Sequence, residues 1–253
     1  MIQFSDIYSQ YYDLIYKDKQ YKAEAEYINS LILEHKKDTK EILELGCGTG
    51  RYTELFCDFG YSVHGVDMSL EMLRIAEQRR IGREDRLRFT HSKIQDLDMD
   101  KKFDVIVALF HVMSYQTSNE DLIKAFQVAR KHLVDGGLFI FDFWYGPAVL
   151  TNPPVVRVKR LENEKIKITR IAEPTIYPQY DIVDVNYDIF IEDKEENKII
   201  EIKELHKMRY FFDTGLEMIC NMVGFQIMNK FEWLTYKSPD LGSWYVVWET
   251  RKF

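Results

Sequence analysis

Apolar and polar positions along the chain follow two periods, one after the other. Over residues 21–36 the apolar Ala25, Ile28, Leu31 and Ile32 recur at helical spacing. Residues 41–45 then read as a short strand running straight into a glycine turn, with a helix over 51–59 behind it. A second strand, 62–66, ends at Asp67, and 70–80 forms a helix with Met72, Leu73 and Ala76 turned inward. Residues 87–90 supply a third strand. Residues 103–109 are almost continuously apolar, as a parallel strand buried on both faces must be. A helix over 121–133 is stopped by Asp135-Gly136-Gly137, and 138–143 is another buried strand. This alternation predicts right-handed crossovers and a doubly wound, mostly parallel α/β sheet.

The period then shortens to two. Residues 155–161, 165–171, 182–191 and 199–211 alternate apolar with polar, and charged turns at 162–164 and 193–198 join them in pairs. Antiparallel hairpins follow from that pattern. A helix over 214–223 and strands over 224–227 and 244–248 return afterwards, the strands closing the main sheet antiparallel. The expected organisation is an α/β core of residues 1–150 and 212–253, carrying an N-terminal aromatic lid. Residues 151–211 form an inserted antiparallel sheet, which would wall an acceptor pocket or make a homodimer contact.

Composition narrows the class. A chain of 253 residues with 46% hydrophobic content supports one α/β domain with a substantial insertion. A net charge of −7 and no run of Lys or Arg argue against duplex nucleic acid as a partner. No apolar stretch approaches the ~20 residues that span a bilayer. The start, MIQFSDIYSQYYD, has neither a basic flank nor an apolar signal segment. Cys47, Cys57 and Cys220 are odd in number and lack metal-ligand spacing, which points to a reduced, cytoplasmic setting. The six histidines form no spaced cluster, so no metal site is expected. Aromatics reach 14%, enough for a ring-lined pocket or for a large aromatic core.

The chemistry starts at Glu44-Leu45-Gly46-Cys47-Gly48-Thr49-Gly50, between a strand and a helix. Glycines at alternate positions let the backbone turn tightly and approach a ligand with no Cβ in the way. The helix that follows offers unpaired N–H groups. Asp67, at the end of the second strand, is placed to accept both hydroxyl protons of a ribose. A lone glycine triplet could be a plain structural turn. Strand, turn, helix, strand and acid in that order make a nucleoside site the better reading. The glycines stand one residue closer than in the dinucleotide pattern, which weakens the case for NAD.

The stretch ELGCGTG, with GVDMS at 65–69 and DGG before LFIFDF, resembles class I S-adenosylmethionine-dependent methyltransferases over nearly the whole chain. The resemblance implies S-adenosylmethionine as cofactor, with Glu44 ordering its methionyl end. The backbone of Leu45, Gly46, Cys47, Gly48 and Gly50 would pass beneath it, Asp67 would hold the ribose and Met68 would pack on the adenine. Leu109, at the end of the fourth strand, joins the same set. Many members carry an acid for the adenine amine where Lys93 stands here, leaving that contact to Ile94 or Asp96.

A finer resemblance lies in Tyr12 to Tyr16 and Lys19 to Glu26, in LFHVMSY at 109–115 and in FDFWY at 141–145. These are similar to nucleotide-sugar N,N-dimethyltransferases, which act on dTDP-linked 3-amino sugars and insert an antiparallel sheet after the fifth strand. The expected acceptor is therefore a nucleotide-linked amino sugar. Such enzymes carry a carboxylate at the position of Asp142, usually Glu, and the shorter side chain suggests a different amine position.

Methyl transfer from a sulfonium needs a neutral nitrogen lone pair held opposite the sulfur, and a carboxylate or imidazole to take the amine proton. Asp142, at the carboxyl end of a parallel strand, is the expected amine-positioning acid; the plainer alternative is a cap on the next turn. Tyr115 would orient the amine or simply fill core. His111 would serve as base or as a structural histidine. Tyr12 and Tyr16 would form a lid over the substrate, or belong to an amphipathic helix docked on the sheet. Arg157, Lys159, Arg160, Lys165 and Lys167 make the first hairpin basic, which suits a diphosphate as well as a solvated face. Two other readings stay open: methylation of another small amine, carboxylate or hydroxyl, and a non-catalytic module that only binds the cofactor.

Overall fold

A computed structural model describes residues 6–196 and 198–253, with side chains from Tyr11 onward. Asn197, in the last of the predicted turns, lies outside the described residues. In chain order the elements are α1 (Asp6–Ile15), α2 (Tyr21–His35), β1 (Glu41–Leu45), α3 (Arg51–Asp58), β2 (Ser62–Asp67), α4 (Leu70–Arg79), β3 (Leu87–His91) and β4 (Phe103–Ala108). A 3-10 turn at Val112–Tyr115 leads to α5 (Asn119–His132), β5 (Leu133–Tyr145) and α6 (Gly146–Thr151). The insertion holds β6 (Arg157–Glu162), β7 (Ile166–Tyr177), β8 (Ile182–Asp193) and β9 (Lys198–Phe211). Then come α7 (Asp213–Val223), β10 (Phe225–Glu232) and β11 (Tyr245–Lys252).

Five parallel strands lie in the order β3-β2-β1-β4-β5. β11 runs antiparallel along β5, and β10 along β11. The central strands are apolar throughout because both faces are covered. Within β4, Val105 and Val107 join a core with Ile28, Leu31 and Phe56 of α2 and α3. Ile106 and Ala108 point the other way, into a core with Phe126 of α5 and Leu216 of α7. Alternate side chains of one strand thus feed two cores, the usual result of covering both faces of a parallel sheet.

β4 last pairs with β5 at Ala108↔Phe141, so the end of β5 projects past it. β9 takes that exposed edge, parallel, through Trp144↔Tyr210 and Tyr145↔Phe211. β8, β7 and β6 follow as an antiparallel series. The inserted strands therefore continue the main sheet and stand over the carboxyl ends of the parallel strands, where open α/β sheets bind ligands.

Two local expectations need correction. Asp135-Gly136-Gly137 does not terminate the helix: α5 ends at His132 and β5 starts at Leu133. The register steps from Phe103↔Leu133 to Val105↔Leu138, and Gly136 takes φ +73° inside that irregular stretch. β7 continues to Tyr177 through Pro174, because its pairing with β6 ends at Arg157↔Ala172. Beyond that point one edge of β7 is unpaired, and a missing N–H there costs no ladder bond. Residues 146–151 form α6, with Pro147 in the first turn where its fixed φ suits a helix start. Near the N-terminus α1 includes Tyr12 and ends just before Tyr16. Among the described residues no helix is long and apolar enough to cross a membrane.

Candidate active site

A cavity of about 880 Å³ opens between the carboxyl ends of the parallel strands and the inserted sheet. Its near wall includes Gly46, Gly48, Asp67, Met68, Ile94 and Leu109. The strand-to-helix turn makes that wall out of backbone. Gly46 has φ +68°, and a Cβ there would lie 2.6 and 2.8 Å from the two methyls of Val112. Gly48 has φ +53° and nothing within 4 Å of where its Cβ would be. A side chain there would project into open space.

The Asp67 carboxylate is buried yet faces the cavity. Its Oδ2 accepts the Gly48 N–H and its Oδ1 the Ser69 N–H, each at 2.8 Å. Burial raises its pKa, opposed by these backbone donors. A carboxylate has about four acceptor positions, so two bonds to the turn leave acceptor capacity toward the cavity.

The other motif residues stand behind this wall. Leu45 is in the main core, Cys47 packs with Leu73 and Ala76, and Gly50 starts α3 against Phe89 and Ala76. Glu44 stands behind the wall as well. It is 1% exposed, does not line the cavity, and its carboxylate accepts the Thr53 hydroxyl at 2.5 Å. The strand's alternation sends Glu44 away from the ligand side, toward α3.

Burial, reinforced by the nearby Asp67, pushes the Glu44 carboxyl from 4.5 up to about 8. Folding therefore retains a proton that the unfolded chain gives up. Its stability contribution is full below pH 4.5 and is lost as pH rises toward 8. Glu44→Gln, which cannot ionise, should flatten that decline and melt above the parent chain at pH 8. Identical slopes of Tm against pH from 4.5 to 8 would refute the assignment.

At the adenine-side loop, Lys93 and Ile94 line the cavity but Asp96 does not. Gln95 occupies the wall instead, donating to the side-chain carbonyl of Gln116, which also lines it.

α1 closes one side. Tyr12 and Tyr16 line the cavity with rings 4.7 Å apart, and Tyr16 meets Phe110 edge-on at 5.1 Å. The Tyr16 hydroxyl accepts from Arg170 of β7 at 3.0 Å. Asp13, one turn earlier, accepts the Thr49 hydroxyl at 2.7 Å and ion-pairs with Arg51 at 3.1 Å and with Arg79. Asp13 of α1 and Tyr16, just past its end, thus bridge the glycine turn and the insertion.

At the far end, Phe110 and His111 both take left-handed backbone angles, φ +63° and +65°. Consecutive non-glycine residues there carry strain that surrounding structure must hold. Asp142 holds it: both carboxylate oxygens lie 3.1 Å from the His111 N–H. The His111 Nδ1 is 2.6 Å from Oδ2, near enough for an ion pair but not aligned as a hydrogen bond. Asp142 is 0% exposed and does not line the cavity. His111 stands between, lining the cavity with its ring stacked on Tyr245 at 4.5 Å.

Tyr115 also lines the cavity, hydrogen-bonded through its hydroxyl to Nδ1 of His206 at 2.9 Å. His206 Nε2 is 3.0 Å from Oε2 of Glu204. His206, Tyr187, Tyr245 and Trp144 on the wall were not singled out from sequence. Alternation puts residues 204, 206 and 208 on one face of β9, but only strand pairing decides which face looks into the site.

Residues 42–137 match a family described as a methyltransferase domain. The chain carries a methyltransferase domain in the fold of the class I S-adenosylmethionine-dependent enzymes. This methyltransferase is similar to a solved S-adenosylmethionine-dependent methyltransferase from Clostridium acetobutylicum ATCC 824, with a TM-score of 0.83 at 24% identity over 96% of each chain. It is 23% identical to the dTDP-3-amino-3,6-dideoxy-alpha-D-glucopyranose N,N-dimethyltransferase of Streptomyces fradiae, over 88% of this chain and 86% of that protein. The dTDP-4-amino-2,3,4,6-tetradeoxy-D-glucose N,N-dimethyltransferase of Saccharopolyspora spinosa is 24% identical over 74% of each. The near wall suits S-adenosylmethionine: backbone without Cβ at Gly48, beside a carboxylate with acceptor positions to spare.

Proposed function

We propose that this methyltransferase moves methyl groups from S-adenosylmethionine to the amino group of a nucleotide-linked amino sugar. The observation that carries this reading is the single cavity running from the glycine turn to the inserted sheet. Its volume lies near the upper end of the ~300–1,000 Å³ typical of small-molecule sites. The insertion brings Arg157 and Arg170 to the wall, cationic groups suited to a phosphate linker, together with Tyr187 and His206. The Streptomyces and Saccharopolyspora relatives are both named for dTDP-amino sugars, and their names differ in the amine position.

The bound cofactor supplies a methyl carbon that is already electrophilic, so the chain's task is placement. Gly46 and Gly48 let the cofactor sit against backbone, Asp67 holds the ribose hydroxyls, and Met68 and Ile94 flank the adenine. Tyr12 and Tyr16 exclude water. The rings of Tyr16, Phe110 and Tyr245 offer π faces to a cation without competing as nucleophiles. His111 accepts an N–H of the acceptor amine and aims its lone pair. Asp142 acts through His111, by holding the strained turn that carries it. Three buried free thiols suit a reducing, cytoplasmic setting.

The test is mass spectrometry of products from S-adenosylmethionine and a panel of dTDP-linked 3-amino and 4-amino sugars. One or two added methyls on one panel member would establish the acceptor and its amine position. No addition to any member, with cofactor bound, would reject the amino-sugar reading.

A further inference from the structure

Proton removal remains the one chemical demand that His111 is poorly built to meet. Its carboxylate partner is committed through both oxygens to a backbone N–H, and the Nδ1 contact is unaligned. The insertion presents a second imidazole–carboxylate pair on the same cavity. His206 and Glu204 are two residues apart on β9, so they share a face, with side chains 5% and 6% exposed. Tyr115 reaches them from the 3-10 turn after β4, completing a continuous line of hydrogen bonds at 2.9 and 3.0 Å. Tyr187 of β8 presses edge-on against the His206 ring at 4.8 Å and fixes its plane.

We propose that Tyr115, His206 and Glu204 form a relay that receives the proton an acceptor ammonium must lose before methyl transfer. The inference rests on the amine-acceptor reading above and adds what the inserted sheet contributes to the chemistry. In the relay Glu204 accepts from His206 Nε2–H, which leaves Nδ1 as an acceptor and makes the Tyr115 hydroxyl the donor. Burial holds the Tyr115 phenol well above its ordinary range, so the hydroxyl keeps its proton near neutral pH. In the step itself, the ammonium N–H bond breaks and its electron pair stays on nitrogen. The proton passes to the Tyr115 oxygen as Tyr115's own proton moves to His206 Nδ1. An imidazolium paired with the Glu204 carboxylate results, and it returns the proton to water after product leaves.

Tyr115→Phe and His206→Gln test this, assayed for kcat against pH with any amine that the parent enzyme methylates. Free aliphatic amines are assayed beside the nucleotide-linked sugars. The groups facing the relay are Tyr187 of β8, Arg170 of β7 behind it, Tyr16 just past α1 and Asp67 across the cavity, with Lys207 next in chain to His206 and paired with Asp184. None of these is altered. Both variants should bind S-adenosylmethionine as the parent does and lose about 100-fold in kcat at pH 7. The deficit should shrink as pH nears the amine's own pKa, where unaided deprotonation suffices. Glu204→Gln should show the same pH signature with a smaller loss.

Unchanged kcat, or a deficit equal at every pH, would overturn the relay and leave the pair as a brace between the 3-10 turn and β9. Methylation only of amines outside the nucleotide sugars would reject the proposed substrate while still testing the relay. An enzyme that methylates no amine at all overturns both.

Discussion

Asp67→Ala is expected to lower affinity for S-adenosylmethionine by at least 100-fold and to destabilise the fold as well. The carboxylate bonds the Gly48 and Ser69 N–H groups inside a nearly closed site. Alanine leaves both donors without a partner, at about 1–3 kcal/mol for each buried group. The turn that must lie against the cofactor loses its anchor together with the ribose acceptor. Asp67→Asn keeps one acceptor oxygen and should fall between. Calorimetric titration with S-adenosylmethionine and thermal melts measure the two effects separately. Unchanged affinity in the alanine variant would show that the cofactor does not use this carboxylate.

The second large effect is expected at Asp142. Asp142→Ala should reduce kcat about 100-fold while binding S-adenosylmethionine nearly as well as the parent. The reason lies in the backbone: Phe110 and His111 are both left-handed, each conformation costing about 1–3 kcal/mol unless held. Asp142 is what holds the His111 N–H. Without it the turn relaxes and the His111 ring leaves its stack on Tyr245. His111→Ala should give a similar loss, and the double variant little more, because both changes remove one unit. Fully additive losses would mean that Asp142 contributes by a route of its own.

Much of this protein was legible along the chain, and the legible part is local. The apolar run 103–108 needs both faces covered wherever it sits, and the helical spacing in α2, α4 and α5 needs only one partner surface. The glycine turn and Asp67 could be paired on sequence because consecutive parallel strands β1 and β2 are neighbours and both end on the ligand side. The glycine-turn side of the cavity follows from those two facts.

The opposite side of the cavity depended on contacts far apart in sequence. The motif shows that Glu44 is acidic but not that Thr53 takes its carboxylate behind the wall. Asp142 is at the correct end of β5, yet a backbone N–H from residue 111 claims it and puts His111 in front. His206 looked like any residue of an alternating strand. It reaches Tyr115 only because β9 pairs with the overhanging end of β5, 91 positions of chain separating the two side chains. Periodicity states that a strand has two faces; tertiary pairing decides which face meets the ligand. The amino-acid sequence by itself determined the parallel sheet and the cofactor turn, since both arise from short-range pattern and backbone sterics. Which carboxylates stand behind histidines, and which histidines face the cavity, was decided only when strands distant in sequence were brought edge to edge.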